Sequence, residues 1–143
     1  MYKFLEQIVA RYMTREPRTV TRDMTMRELG ELFEKEDFNA YPVTDGGQVL
    51  GIVSKFDYLS CFVFTPPRMI PRYRDLMQRR VADVMTSEFI YVLPETRLLE
   101  LMVNHRLRSM QVLERDQRLA GIISRKDVMR ALQESAAAEA AQS

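Results

Sequence analysis

Apolar side chains at Met26, Leu29, Leu32 and Phe33 recur three and four positions apart and predict an amphipathic helix. Ahead of it stands a short β-like piece, "RTVT". After it come two apolar runs, "AYPVT" and "VLGIVS", joined by "DGGQ". The Asp-Gly pair in that joint is a strong hairpin signal, because a tight turn between twisted strands needs positive φ. A second helix is predicted to start at Ser54. The same order then returns: "IYVL", apolar positions at Leu98, Leu101 and Met102, two strands around "ERDQR", and a helix starting at Ser124. The second joint has no glycine, which predicts a looser loop.

The recurrence is a duplication. "VARYMTREPRTVTRDM" (Val9 to Met24) aligns without a gap on "VADVMTSEFIYVLPET" (Val81 to Thr96), and "GIVSKFD" (Gly51 to Asp57) returns as "GIISRKD" (Gly121 to Asp127). Each β-α-β-β-α unit is about 55 residues, too small to bury a large core alone. The fold class expected is therefore α+β with α/β-type units, two repeats packed through their sheets into one module. Mostly apolar strands fit helices on one sheet face and another sheet on the other. The predicted layout is an N-terminal helix and first unit over 1–65, a connector over 66–80, a second unit over 81–134 and a flexible tail over 135–143. Pro66, Pro67 and Pro71 predict an extended connector before a short helix from about Arg72. The tail "ESAAAEAAQS" can lengthen the last helix but offers no apolar face, so it is expected to fray.

Composition narrows the class. Of 143 residues, 46% are hydrophobic and 29% charged, which fits a globular chain, and 21 basic against 20 acidic side chains leave a net charge of +1. No global field draws this chain to nucleic acid or to an anionic membrane. The single cysteine, Cys61, cannot form an internal disulfide and is expected to pack as a small hydrophobe. The longest apolar run, which contains it, is far short of the roughly 20 residues that span a bilayer. The N-terminus lacks a signal-peptide cleavage pattern. A soluble protein of the reducing cytoplasm is expected, with no membrane insertion.

The repeated Gly-h-h-Ser-x-x-Asp pattern has two readings. Ser54 at a helix N-cap with Asp57 three residues on, and Ser124 with Asp127, make an acidic capping box that needs no ligand. The same geometry offers helix N–H groups and a serine hydroxyl to a phosphate, with a carboxylate one turn in to accept ribose hydroxyls. Catalysis has little support: one histidine, His105, lies in a polar stretch, and no Ser-His-Asp, paired-carboxylate or metal-ligand constellation is evident. Five arginines (Arg68, Arg72, Arg74, Arg79 and Arg80) crowd the connector against Asp75. They read as a solvated helix face before a phosphate-lining or docking surface. No aromatic stacking set accompanies them, which weighs against nucleic acid.

"VADVMT", a strand, a helix, "YPVTD", a hairpin and "GIVSKFD", in that order twice, resemble the cystathionine-β-synthase (CBS) domain, and the two copies resemble a free-standing CBS-domain pair. The resemblance implies a regulatory module, not an enzyme. Its implied ligand is an adenosine nucleotide (AMP, ADP or ATP) or S-adenosylmethionine, held in clefts between the two units, with no catalytic cofactor. It further implies a homodimer of modules that acts on an enzyme or transporter the sequence does not identify. Carried over residue by residue, the ligand set comprises Ser54, Asp57, Ser124 and Asp127, with Lys55 and Arg125 beside the serines. A basic residue at Arg108 would reach phosphate, where the first copy has Asn39. Backbone at Thr19-Val20 and Tyr91-Val92 would read the adenine edge, and Tyr41-Pro42 and Met110-Gln111 would wall the cleft. This chain departs from the pattern in Gln111, where proline is usual, in a second-copy helix about one turn short, and in Arg11 opposite Asp83. A structural or dimerising module with empty clefts is the alternative, and nucleic-acid binding through the connector a weaker one.

Overall fold

The computed structural model describes residues 2–63, 72–104 and 109–142. Its elements in chain order are α1 (Tyr2–Glu6), α2 (Val9–Tyr12), β1 (Thr14–Arg15), α3 (Met26–Lys35), β2 (Ala40–Asp45), β3 (Gln48–Ser54) and α4 (Lys55–Val63). They continue with α5 (Tyr73–Met77), α6 (Val81–Val84), β4 (Tyr91–Val92), α7 (Leu98–Asn104), β5 (Ser109–Leu113), β6 (Leu119–Ser124) and α8 (Arg125–Gln142). The fold is mixed α and β. Two compact units emerge, one of Arg18–Phe89 and one of Met1–Pro17 with Ile90–Ser143.

In the unit Arg18–Phe89, α3 forms where the apolar spacing predicts it. Thr25 caps it: its Oγ1 accepts the Glu28 N–H at 3.3 Å while Glu28 Oε1 accepts the Thr25 N–H at 3.3 Å. Met26, Leu29 and Phe33 are buried on its inner face. Gly46 and Gly47 take φ of 58° and 86° and close β2 onto β3, as the Asp-Gly signal requires. Val20 adds beside β2 as a parallel bridge to Val43, and Thr86 adds beside β3 as an antiparallel bridge to Ile52. "RTVT" thus contributes one paired residue, not a full strand. The core includes Val20, Met26, Leu29, Tyr41, Val43, Val53, Cys61 and Val81. Cys61 packs as expected, and its sulfur also accepts an Arg79 Nη1 hydrogen bond at 3.5 Å.

The unit of Met1–Pro17 with Ile90–Ser143 has the same plan in fuller form, a sheet of order β1-β6-β5-β4 with only the β4/β5 pair parallel. Leu98 and Leu101 are fully buried, whereas Met102, expected beside them, is 53% exposed. It falls at the edge of a stripe whose centre lies between the two leucines. The glycine-free joint is the looser loop expected: Glu114 N–H donates to Arg118 O at 2.8 Å, and Gln117 carries the positive φ, 70°. The alanine-rich tail continues α8 to Gln142. Alanine has the best intrinsic helix propensity, which sustains those turns without an apolar face.

The sequence repeats and the compact units do not coincide. Val9 of the first copy donates its N–H to Thr96 O of the second at 2.8 Å, and Val81 of the second donates to Met24 O of the first at 2.8 Å. Ala10 to Pro94 O and Ala82 to Arg22 O repeat the exchange one residue on, at 2.8 and 3.0 Å. The opening segment of each copy is packed on the body of the other. The glycine of each "GI" motif follows from this. A Cβ on Gly51 would stand 2.5 Å from Thr86 O, and one on Gly121 would stand 2.5 Å from Thr14 O. Only a residue without a side chain lets the exchanged segment pair there.

Candidate functional site

At the first strand-to-helix corner, β3 runs directly into α4 through Ser54. The Ser54 N–H donates to Asp57 Oδ2 at 2.8 Å, and the Asp57 N–H donates to Ser54 Oγ at 3.0 Å. This is a complete reciprocal capping box, so the local structural role of the motif is met without a ligand. Ser54, Lys55 and Asp57 are all partly accessible. Ser54 faces Ala40 across the hairpin, and Lys55 N–H donates to Asn39 O at 2.8 Å. Asn39 is exposed at the entry to β2. The corner thus gathers Ser54, Lys55, Asp57 and Asn39 at the N-terminal end of a nine-residue helix, where backbone N–H groups favour an anion.

The second corner repeats the placement with different bonding. The Ser124 N–H donates to Asp127 Oδ2 at 2.9 Å, but here the Ser124 hydroxyl also donates to Asp127 Oδ2, at 3.0 Å. Asp127 is 8% exposed, and Arg130 Nη2 lies 3.9 Å from its Oδ1. Arg125 is exposed on the first turn of α8. Arg108, expected to reach phosphate, lies outside the described residues, as do His105, Arg68 and the three connector prolines. The short connector helix begins one residue past Arg72, as α5.

The remaining candidates are placed less openly. Val20, Tyr41, Val92 and Met110 turn their side chains into the cores, and Pro42 and Gln111 are buried with them. The Val20 N–H donates to Pro42 O and the Val20 carbonyl accepts from Thr44 N–H, both at 3.0 Å. Its N–H and carbonyl both take part in the parallel bridge, and Thr19 beside it is partly accessible. Tyr91 is 46% exposed at the sheet edge, paired opposite Gln111. Tyr41 has a polar duty of its own. Its hydroxyl donates to Glu36 Oε1 at 3.1 Å, and Arg18 forks onto Glu36 with a Nη2–Oε2 distance of 3.0 Å. Burial and then the Glu36 carboxylate push the Tyr41 hydroxyl up to about 12, while the Arg18 guanidinium holds Glu36 below its ordinary value.

Two features escaped the sequence. The reason for Gly51 and Gly121 was visible only as a "Met-Thr" shared by both copies, with nothing to say that each would cross the other's hairpin. Arg130 was visible only as the residue in α8 aligned with Ser60 in α4, and its hydrogen bond to the Tyr12 carbonyl was not.

A family model described as the CBS domain matches residues 9–63 and 81–134. Among curated proteins, inosine-5'-monophosphate dehydrogenase of Haemophilus influenzae is 32% identical over 124 residues, covering 82% of this chain and 23% of that enzyme. The chain spans less than half the length of the curated relatives it matches, from 23% to 46%. Among solved structures, CBSX2 in complex with AMP is 25% identical with a TM-score of 0.74, covering 89% of this chain and 96% of that one. CBSX2 is a protein of Arabidopsis thaliana. A CBS-domain containing protein of Agrobacterium tumefaciens is 28% identical with a TM-score of 0.68, covering 87% and 98%.

Proposed function

Since the chain belongs to the CBS-domain family and carries two copies of that domain, we propose that it is a regulatory module that binds an adenosine nucleotide and signals occupancy to a partner protein. The observation that carries this reading is the paired corner: a serine and an aspartate at the start of a helix, in both units, beside the end of a β-hairpin. The helix N-terminus with Ser54 and Lys55 suits a phosphate, and the Asp57 carboxylate suits the ribose hydroxyls. Thr19 and Asn39 are accessible in the same unit and are assigned to the adenine and phosphate ends. Tyr91, Arg125 and Arg108 take those parts in the other unit. AMP is the first ligand to test, because CBSX2, similar over nearly its whole length, is described in complex with it. ADP, ATP and S-adenosylmethionine share the adenosine that the corner would recognise.

Signalling requires that the nucleotide bind one arrangement of the protein better than another. The partner is an enzyme or transporter, met by the module alone or as a homodimer. One observation favours a second reading, an interaction scaffold: the Ser54–Asp57 capping box is complete by itself. Calorimetric titration with AMP, ADP, ATP and S-adenosylmethionine separates the two. Binding below millimolar concentration that weakens in Asp57→Ala or Asp127→Ala supports the sensor. No binding by any of the four leaves the scaffold.

A further inference from the structure

The outward face of α4 is apolar. Phe56, Leu59 and Val63 fall within about 60° of one another around the helix axis, and they are 70%, 58% and 69% exposed. Next to Leu59 around the helix, Phe62 stacks on Tyr73 of α5, with ring centres 6.3 Å apart and an interplanar angle of 27°. Tyr73 is itself 67% exposed. The apolar surface therefore runs from α4 onto α5 through that stack. Arg72 and Arg74, on either side of Tyr73 in the chain, are exposed, and neither makes an ion pair among the described residues. Arg79, also exposed, lays its guanidinium on Cys61 of α4. The acid of α5 itself is Asp75.

The duplication shows that the fold does not require this face. The positions of α8 that match Phe56, Leu59 and Val63 are Lys126, Met129 and Gln133, and α8 forms from them all the same. Two of the three are polar. A stripe that one copy does without is free to serve contact with another molecule, and contiguous exposed apolar surface edged by charge marks such contacts. Tyrosine and arginine are the side chains most enriched where protein interfaces bind tightly.

Charge decides the occupant. A second copy of this chain would meet the patch with the same patch, since a two-fold contact uses one surface on both sides. That brings the arginine rims together with like charge. An acidic amphipathic helix matches both features, with apolar side chains for α4 and Tyr73 and carboxylates for the guanidinium forks of Arg72 and Arg74.

We propose that the face running from Phe56 on α4 to Tyr73 on α5, with its Arg72/Arg74 rim, is the docking surface for an acidic amphipathic helix of a partner protein. This rests on the reading above that the module acts through a partner, and it names that partner's chemistry. It does not depend on the nucleotide.

The test is fluorescence anisotropy on the full chain with a labelled helical peptide that carries leucines on one face and glutamates on the other. The peptide binds the wild type, less tightly as salt is added. Its affinity falls about tenfold or more in Tyr73→Ala and in the double variant Arg72→Glu with Arg74→Glu. Lys126→Glu, on the matching face of α8, leaves it unchanged, and the same peptide with lysine in place of glutamate does not bind. Thermal melting checks that each variant is folded. A glutamate peptide that fails to bind, a lysine peptide that binds as well, or a folded double variant that binds like the wild type each overturns the proposal. So does light scattering that finds a wild-type dimer dissolved by Leu59→Arg, because a second copy then covers the face. Displacement of the peptide by a lower concentration of single-stranded oligonucleotide overturns it in favour of nucleic acid. AMP calorimetry on the same samples keeps the two readings apart. Peptide binding without AMP binding sinks the nucleotide reading and leaves the docking surface, and AMP binding without peptide binding does the reverse.

Discussion

The carbonyl oxygen of Thr86 stands 2.5 Å from the point a Cβ on Gly51 would occupy. Since the clash is with backbone that is itself paired to Ile52, neither side can yield cheaply. Gly51→Ala is expected to destabilise the protein by about 1–3 kcal/mol, the usual cost of overpacking. Gly46 is the contrast. It has φ of 58° and nothing within 4 Å of its absent side chain, so Gly46→Asn, which tolerates that φ, is expected to be nearly neutral. Urea denaturation midpoints of the two variants measure the difference.

The exchange of opening segments makes a second prediction. Phe4, Val9, Tyr12 and Met13 are buried in the core built around Leu98, Leu101, Val112 and Ile123. Each such side chain is worth about 1.5–3 kcal/mol, and together they rival the whole stability of a small domain. A fragment of residues 90–143 is therefore expected to be unfolded by circular dichroism, and to gain structure when a peptide of residues 1–17 is added. Folding of the fragment alone, at full native signal, would contradict the exchange.

Capping and ligand binding can be separated at Asp57. Asp57→Ala loses the acceptor for the Ser54 N–H and is expected to cost about 1 kcal/mol of stability. Asp57→Asn keeps an oxygen there and is expected to lose less. Both variants lose the charged acceptor proposed for ribose, worth about 1.5–3 kcal/mol, so AMP affinity is expected to fall roughly tenfold or more in each. Thermal melting and calorimetry on the same samples give the two readings.

Tyr41 sets an alkaline limit. In the folded protein its hydroxyl is raised from 10.0 to about 12, first by burial and then by Glu36. The folded state holds a proton that the unfolded chain releases. The stabilisation is therefore complete below pH 10 and lost as pH rises from 10 through about 12. Tyr41→Phe is expected to flatten the fall in stability over that window, leaving the contributions of Tyr12 and Tyr58, which are also raised. Denaturation midpoints at pH 9 to 12 report it.

Local features were legible in the letters because they depend on neighbours in the chain. The Asp45-Gly46 turn, the Met26/Leu29/Phe33 stripe and the Ser54 cap need only residues a few positions apart. The exchange was not legible, and the duplication is the reason. Val9 aligns with Val81 and Thr96 with Met24, so an N–H of Val9 fits the carbonyl of either copy equally well, and pattern alone cannot say which it takes. Tyr41 and Met110 could be read as cleft wall or core because both environments are apolar. In the structure both side chains are buried, and the Tyr41 hydroxyl is tied to Glu36. The Arg130 hydrogen bond to the Tyr12 carbonyl was not legible either, since it joins residues 118 positions apart.

The central claim is that a strand-to-helix corner of this CBS-domain pair holds an adenosine nucleotide. A crystal structure grown with AMP tests it most directly. The account predicts AMP at the start of α4, its ribose hydroxyls on Asp57 and its phosphate by Ser54 and Lys55. Crystals saturated with AMP whose nucleotide lies away from both serine-aspartate corners, or that contain none, would contradict it.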